Sequence, residues 1–292
     1  MIYRSRNLER VAKSISQKIQ DELDRVGIFH RTFYRCKSEE SLESKLVQKE
    51  YDGKETFLRD VIGFRTNLYF ADDVEIVYPY IKGYFDFVEE TRDINFETEF
   101  KPTRLNLIFR LPDEFKKEFD DLISDSRIDN TFEFQLRTVL SEGWHEVDHD
   151  LRYKCKSDWD SNGDLGRMLN GVLAALEASD WTTIQIFQNL SYRHYRMNNI
   201  ESMLRSKFRM RFGHSSLDDS IESIINSDEE MKKSVYKIER NEFIMKFLDS
   251  GIIMPINLNN LIFLLNYWYL KEEKIFEVMP DHLKREFDLI GE

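Results

Sequence analysis

The amino-acid sequence predicts an α+β fold, in which a β-sheet flanked by helices precedes a helical C-terminal region. Three observations support this prediction. In the first half of the chain, segments rich in β-branched and aromatic residues alternate with amphipathic segments. From Leu165 onward, apolar residues recur at helical spacing. Hydrophobic residues make up 41% of the 292 residues and charged residues 33%, which is typical of a globular protein with a sizeable core.

The predicted elements follow from local patterns. Apolar residues recur every three or four positions through the first 28 residues, which predicts a helix that Gly27 ends. A loop and a short helix are expected at residues 34–48. A helix at residues 72–88 is expected to take Asp72 or Asp73 as its N-cap. The other expected elements are strands at 61–70, 105–111 and 131–137, and helices at 113–123, 139–153, 239–250 and 258–269.

Charge and apolar content limit the location and partners of the protein. The formal net charge is −12, which disfavours non-specific binding of long nucleic acid but allows one local basic pocket. The N-terminus is polar and charged, unlike a secretory signal, and the apolar stretch at 258–270 is shorter than the about 20 residues that span a bilayer. Cys36 and Cys155 show no metal or redox spacing. We expect a cytoplasmic protein with no membrane contact.

A domain boundary is predicted near Gly213, where polar residues cluster. Residues 1–212 and 213–292 are therefore expected to form separate regions. Just before this boundary lies a basic segment, which we interpret as a helix face paired with carboxylates, although a phosphate or RNA contact is an alternative. Its cationic residues are Arg193, His194, Arg196, Arg205, Lys207, Arg209 and Arg211.

Two acidic residues next to predicted strands suggest a metal site. Asp60 precedes the first predicted strand, which carries Arg65, and the third predicted strand places Glu133, Gln135 and Arg137 on one face. If these strands are neighbours, the two carboxylates can converge and form a hard-oxygen site suited to Mg²⁺. Arginines beside them can hold phosphate oxygens. The combination of carboxylates and arginines predicts phosphoryl-type transfer. Considered alone, Asp60 could cap a turn and Glu133 could face water.

Three segments resemble one known family. FEFQLRTVLSEGWHEVDHDLRYK, at residues 132–154, resembles the synthetase signature of RelA/SpoT proteins, in which a Glu-x-Gln-x-Arg-Thr strand runs into a helix with Trp, an acidic-His pair and Tyr-Lys. LRDVIGFR, at 58–65, resembles the family's Asp-x-x-Gly-x-Arg strand. FYRCKSEESLESK, at 33–45, resembles its basic Arg-x-Lys segment. The resemblance covers about residues 30–200, and no segment resembles the family's hydrolase half.

The resemblance implies a fold and an activity. The fold is a nucleotidyltransferase-like mixed sheet of about five strands, flanked by helices. The activity is transfer of pyrophosphate from ATP, with Mg²⁺, to the 3′-hydroxyl of a guanosine nucleotide (GDP or GTP), which makes the alarmone (p)ppGpp.

The resemblance also implies roles for the matched residues. Asp60 binds Mg²⁺, and Glu133 binds the metal or acts as base toward the acceptor hydroxyl. Arg35 and Arg65 flank the adenine of ATP. The residues that hold the ATP phosphates are Lys37, Ser41 and Lys45. Those that support the acceptor side or complete the wall beside the transferred group are Gln135, Arg137, His149, Tyr153 and Lys154.

Two departures from the family leave the acceptor open. Where the family has Gly-Tyr-Arg-Ser-Leu-His, whose tyrosine stacks on guanine, this chain has KPTRLNLIFRLP at 101–112. Arg104 matches the arginine, and Asn106 stands where the histidine would be. The family's Glu-His pair is Asp148-His149 here. A toxin-like relative that modifies tRNA 3′ ends or adenine nucleotides, and an inactive nucleotide-binding sensor, are alternatives. A homo-oligomer or a regulatory or antitoxin partner also stays open.

Overall fold

The computed structural model describes residues 5–48, 57–92, 105–123, 125 and 127–290. These residues group into two compact units. One contains the described parts of Met1–Asp21 and His30–Asp180, and the other contains those of Glu22–Phe29 and Trp181–Glu292. The first unit holds the β-sheet, and the second is helical.

The first unit is built on a five-stranded mixed sheet in the order β1-β2-β5-β4-β3. β2 and β5 pair in parallel, and the other neighbours pair antiparallel. The mixed sheet flanked by helices confirms the predicted α+β fold. The strands are β1 (His30–Cys36), β2 (Ile62–Leu68), β3 (Phe87–Arg92), β4 (Leu105–Arg110) and β5 (Thr131–Thr138).

Helices connect and flank these strands. α5 continues into a π-helical turn, His149–Tyr153, and a short 3₁₀ turn, Lys156–Asp158, follows. α6 is the longest helix among the described residues. The helices are α1 (Ser5–Arg25), α2 (Glu39–Gln48), α3 (Asp72–Tyr84), α4 (Asp113–Leu122), α5 (Val139–Asp148) and α6 (Gly163–Arg196).

The sequence prediction missed both edge strands. β1 lies partly where a loop was expected, and its exposed side chains obscure the apolar alternation that marks a half-buried strand. The helix expected at 72–88 ends at Tyr84, and the polar segment after it forms the other edge strand, β3. An edge strand has one open side and needs fewer apolar residues, so its periodicity is weak.

The predicted N-cap of α3 is wrong. The N-cap is Ala71, and Asp72 and Asp73 lie inside the first helical turn. Acidic side chains in the first turn interact favourably with the positive end of the helix dipole, which accounts for their place there. The predicted end of α1 is confirmed: the helix stops at Arg25, and Gly27 has a φ of +69°, which an L side chain rarely adopts.

The two faces of β5 have opposite chemistry. Phe132 and Phe134 are fully buried and lie within 5.2–6.4 Å, ring centre to ring centre, of Phe64, Phe85 or Phe109. The intervening side chains on β5 are polar and only partly buried. The alternation predicted for this strand is therefore confirmed. One face of the sheet builds the core, and the other is free to carry a polar site.

The second unit confirms the predicted helical C-terminal region. Its core includes Phe208, Phe243 and Phe247, with Phe208 and Phe243 meeting edge to face at 5.2 Å. After α6 come α7 (Ile200–Phe208), α8 (Asp219–Asn226), α9 (Glu229–Lys237), α10 (Arg240–Ser250), α11 (Leu258–Leu265), a π-helical turn (Asn266–Leu270), α12 (Glu273–Val278) and α13 (Asp281–Ile290). In the part of the chain that the structure describes, no helix combines the length and apolar character needed to cross a membrane.

The basic segment before Gly213 is partly neutralised within the second unit. Arg205 pairs with Glu201 at 3.1 Å, and Arg211 pairs with Asp24 at 2.9 Å. These ion pairs agree with the interpretation of this segment as a helix surface balanced by carboxylates.

We predict that Phe132→Ala destabilises the protein by about 3–5 kcal/mol, because it leaves a cavity among packed aromatic rings. Urea unfolding at equilibrium would show a lower midpoint with an unchanged slope. Val47→Ala is the control, because Val47 is 77% exposed and should change stability by less than about 0.5 kcal/mol. Equal midpoints for the two variants would contradict this assignment of the core.

Candidate functional site

A cavity of about 400 Å³ opens on the polar face of the sheet. Strands β1, β2, β4 and β5 form one side of it, and α5 with the following π-helical turn forms another. Its wall carries both positive and negative side chains, which is the composition expected around a charged ligand. The lining residues are Phe33, Tyr34, Arg35, Gly63, Phe64, Arg65, Asn106, Glu133, Gln135, Arg137, His145, Glu146, His149, Asp150 and Lys154.

Strand register brings the polar residues of the cavity together. In the β1-β2-β5 part of the sheet, Gly63 lies between Arg35 and Glu133. In the next row of the same face, Arg65 lies beside Gln135. Neighbouring strands are about 4.8 Å apart, so residues remote in sequence become direct neighbours. A Cβ at position 63 would lie 3.9 Å from Cγ and Nε of Arg35, so the side chain of Arg35 extends over the glycine.

Gln135 connects the acidic and basic sides of the cavity. Its Nε2 donates a hydrogen bond to Glu133 Oε1 at 3.2 Å. Its Oε1 accepts hydrogen bonds from Arg65 Nε at 3.3 Å and Arg137 Nη2 at 3.1 Å. Because the amide donates on one side and accepts on the other, it fixes the carboxylate and both guanidinium groups in one arrangement.

Glu142 on α5 holds the two arginines from the opposite wall. Its Oε1 lies 2.6 Å from Arg65 Nη1, and its Oε2 lies 2.8 Å from Arg137 Nη1. Glu146, one helical turn later, also pairs with Arg65. Burial tends to raise the pKa of Glu142, but hydrogen bonds from the two arginines outweigh it and lower that pKa. Burial and the charge of Arg65 lower the pKa of Arg137.

The helix that carries Glu142 begins at a well-defined cap. Thr138 accepts a hydrogen bond from the Ser141 backbone N–H at 3.1 Å, and the two side chains complete a capping box. The Thr138 hydroxyl also contacts Asp180 Oδ2 at 2.6 Å. Since β5 leads directly into α5, this cap sets the direction in which the helix leaves the strand.

A second charged cluster surrounds Asp60. Its Oδ2 accepts hydrogen bonds from Lys37 and, at 2.5 Å, from Lys45. Burial tends to raise the pKa of Asp60, but the two ammonium groups outweigh burial and lower it. Burial lowers the pKa of Lys37 to about 8, despite its bond to Asp60. Ser41 lies exposed on α2, where its hydroxyl is 2.9 Å from that of Ser38.

The π-helical turn contributes the remaining charged groups. His149 and Lys154 line the cavity, and both contact Asp150, at 2.9 and 2.7 Å. Tyr153 stacks on His149 with ring centres 5.8 Å apart, but it is not among the lining residues. The turn and the residue after it therefore present an imidazole, a carboxylate and an ammonium group to the space above the sheet.

The structure brings seven predicted site residues into one cavity and places others beside it. Those in the cavity are Arg35, Arg65, Glu133, Gln135, Arg137, His149 and Lys154. The predicted residues that are described but do not line it are Asp60, Lys37, Ser41, Lys45 and Tyr153. Arg104 lies outside the described residues. The roles predicted for these residues, including a metal shared by Asp60 and Glu133, stay predictions.

Sequence analysis missed Glu142, Glu146 and Phe33. The first two stand four residues apart on a predicted helix, a spacing that places them on one face. That spacing could have indicated a pair of carboxylates facing the strand. Phe33 stands two residues from Arg35, so recognition of β1 as a strand would have placed both on the same face.

Two of the predicted carboxylates, Asp60 and Glu133, bear on the binding of Mg²⁺. No group of three or more His, Cys, Asp or Glu residues suited to a metal ion occurs among the described residues. Mg²⁺ usually takes only one or two carboxylates and completes its shell with water and substrate phosphates. Asp60 Oδ1 is buried and accepts no hydrogen bond from the described residues, and Glu133 is in the cavity. Carboxylate oxygens suit Mg²⁺, and an ion shared by Asp60 and Glu133 stays a prediction.

The fold and the site together define a class. The first unit is an α+β structure whose polar sheet face carries a cleft lined by arginines and carboxylates. Residues 34–158 match the family model described as "Region found in RelA / SpoT proteins". This match confirms the resemblance to RelA/SpoT proteins that the three motifs indicate.

Similar folds occur among solved structures. Small alarmone synthetase 2 from Bacillus subtilis is 22% identical, with a TM-score of 0.44 over 62% of this chain and 91% of that one. The structure of smu.1046c from Streptococcus mutans UA159 is 23% identical, with a TM-score of 0.46 over 62% of this chain and 92% of that one. Small alarmone synthetase 1 from Bacillus subtilis, bound to its product pppGpp, is 19% identical, with a TM-score of 0.43 over 61% of this chain and 91% of that one. No curated protein sequence matches significantly. At these levels of identity, the activity of this chain has to be inferred from its own residues.

We predict that Glu142→Gln destabilises the protein by about 1.5–3 kcal/mol at neutral pH, because two partly buried arginines lose their shared counter-charge. The folded-state pKa of Glu142 is lowered, so its contribution is complete above the ordinary glutamate value of 4.5 and is lost as the pH falls through the folded value. The difference between wild type and variant should therefore shrink in acid.

Chemical denaturation of wild type and variant from pH 7 to pH 3 measures this difference. Glu75→Gln is the matched control, because Glu75 is an exposed helical residue. A Glu142→Gln variant as stable as wild type at pH 7 would contradict the arrangement of the arginines.

Proposed function

We propose that the cavity transfers the pyrophosphate group of ATP to the 3′-hydroxyl of a guanosine nucleotide, GDP or GTP, and so makes (p)ppGpp. The RelA/SpoT match supports a pyrophosphotransferase. The observation that carries the proposal is that Glu133, Gln135, Arg65 and Arg137 share one cavity, joined by the hydrogen bonds of Gln135. An acid–base group and two guanidinium groups in one cleft are what transfer of a phosphate group requires.

In the proposed reaction, Glu133 accepts the proton of the acceptor's 3′-hydroxyl. The hydroxyl oxygen forms a bond to the β-phosphorus of ATP, and the bond from that phosphorus to the oxygen bridging it to the α-phosphorus breaks. AMP leaves with the bridging oxygen. Arg137 binds oxygens of the moving group and offsets its negative charge. Glu142 and Glu146 pair with Arg65 and Arg137 and keep both guanidinium groups turned toward the cavity before a nucleotide binds.

The Asp60 cluster has a supporting role in this proposal. Lys37 and Lys45 bind the phosphates of ATP, and Ser41 lies on the same short helix as Lys45. Asp60 and Glu133 would hold Mg²⁺, which would neutralise charge on the phosphate oxygens. Arg35 and Arg65 flank the base of ATP, and His149 with Lys154 contacts the acceptor side.

We predict that label from [γ-³²P]ATP moves to GDP or GTP in the presence of Mg²⁺, as measured by thin-layer chromatography. Glu133→Gln should lower the rate about 10²- to 10⁴-fold, the usual effect of removing a general base. Glu75→Gln, which removes the same charge from an exposed helical position, should leave the rate unchanged. A fully active Glu133→Gln variant would contradict the site.

The same assay separates the alternatives, because ATP and tRNA are tested as acceptors beside GDP and GTP. Asn106 occupies the cavity beside Gln135, where the family pattern has a histidine, which keeps a different acceptor open. Label on tRNA, or on a 3′-pyrophosphorylated adenine nucleotide that separates from ATP, without label on GDP or GTP would replace the guanosine acceptor with one of these. ATP binding without transfer to any acceptor would favour a nucleotide sensor.

We predict that affinity for ATP weakens as the pH rises above about 8. In the free protein the pKa of Lys37 is lowered to about 8, so its positive charge is lost above that value, and attraction for phosphate is lost with it. The Lys37→Arg variant keeps a positive charge at this position at all these pH values, so its affinity for ATP should depend little on pH. Calorimetric titration with α,β-methylene-ATP from pH 7 to pH 9.5 measures this. An identical decline in both proteins would exclude Lys37 as its cause.

A further inference from the structure

Phe33 is an exposed aromatic residue inside the cavity. Its side chain is 52% exposed, although it belongs to a paired strand and lines the cavity wall. Single exposed apolar residues are common on protein surfaces, so exposure alone has no functional meaning. The position of Phe33 among the charged groups of the cavity is the informative observation.

Strand register places Phe33 on the ligand-facing side of the sheet. It pairs directly with Arg65 on β2, and Arg35, two residues later on β1, lies on the same face. The guanidinium of Arg65 is fixed by hydrogen bonds to Gln135 and Glu142. Phe33 therefore lies beside two planar cationic groups, one of which is held in place. Aromatic rings and guanidinium planes are the protein surfaces on which nucleobases stack.

The distance from Phe33 to the lysine cluster fits a nucleotide. Lys37 follows β1 and continues its ladder, since its backbone N–H donates to Val61 O at 2.9 Å. Four residues of extended strand separate it from Phe33, which corresponds to about 13 Å. A base at Phe33 would therefore extend its ribose and phosphates along β1 toward Lys37 and Lys45.

We propose that Phe33 forms, together with Arg35, the surface on which the purine base of ATP stacks. This inference rests on the proposed function and deepens it, because it assigns part of the base-binding surface to Phe33, for which the resemblance implies no role. Stacking uses the π-face of the base, which all purines share. Phe33 therefore contributes affinity for the base, and it contributes nothing to the binding of the phosphates.

Binding of two probes tests this assignment. The first is α,β-methylene-ATP, and the second is tripolyphosphate, which has the phosphates but no base. Phe33→Ala should weaken binding of the nucleotide about 5- to 100-fold, equivalent to about 1–3 kcal/mol. Binding of tripolyphosphate should change less than about twofold. Phe33→Trp, which keeps an aromatic face, should retain nucleotide affinity, and Phe33→Leu, which keeps only apolar bulk, should not.

The controls separate stacking from general damage. Phe57→Ala removes another exposed phenylalanine, 45% exposed and outside the cavity, and should leave both affinities unchanged. Lys37→Ala should weaken the binding of both probes. Circular dichroism and thermal unfolding of each variant check that the fold is intact, which the exposure of Phe33 favours.

The results distinguish this inference from the proposed function. If Phe33→Ala binds the nucleotide like wild type while Lys37→Ala does not, the stacking assignment is overturned and the phosphate site remains. An equal loss of affinity for both probes in the Phe33→Ala variant would also overturn the stacking assignment. If the nucleotide binds with the expected dependence on Phe33 but no group is transferred, the inference stands and the transferase proposal fails. Wild type that binds neither probe would overturn both.

Discussion

Parallel pairing of β2 with β5 is the constraint on which the site depends. The pairing aligns Gly63 with Glu133 and Arg65 with Gln135, although about seventy residues separate the partners in each pair. Side chains alternate along a strand, so a slip of one residue would turn the phenylalanines of β5 toward the cavity and its polar residues into the core. Burial of Phe132 and Phe134 opposes this slip. The aromatic core therefore fixes the register of the polar face.

Electrostatic balance within the cavity follows from this register. Two arginines converge on the same space, and their repulsion is offset by Glu142 from the helix above them. A second set of cations meets Asp60 at the start of the same strand, β2. In both places, carboxylates of the protein hold cationic groups in position. A phosphate-bearing ligand would find these groups already oriented, which reduces the entropy lost on binding.

The sequence predicted those parts of the fold in which one residue pattern dominates. The strict alternation of β5 identified its two faces, and the RelA/SpoT motifs identified the helix after it. The edge strands β1 and β3 lack a clear sequence pattern because their side chains are largely exposed or polar. The sequence also does not show that Asp72 and Asp73 lie inside the first turn of α3, because that depends on the preceding backbone.

The site was predicted less completely than the fold. Motif residues on β2 and β5 could be assigned to one cleft, because a parallel register brings them together. Glu142 could not, because its partners come from two strands and its role depends on the angle at which α5 leaves the sheet. Phe33 was missed for another reason: its importance depends on exposure, and a sequence does not report exposure. In both cases the deciding property is tertiary.

A crystal structure of the protein with α,β-methylene-ATP and Mg²⁺ would show where the nucleotide binds. We expect the triphosphate between the Asp60 cluster and Glu133, with the base against β1 and the metal on a carboxylate of Asp60 or Glu133. A nucleotide bound away from the polar face of the sheet, or bound there with Glu133 remote from the β-phosphorus, would contradict this expectation.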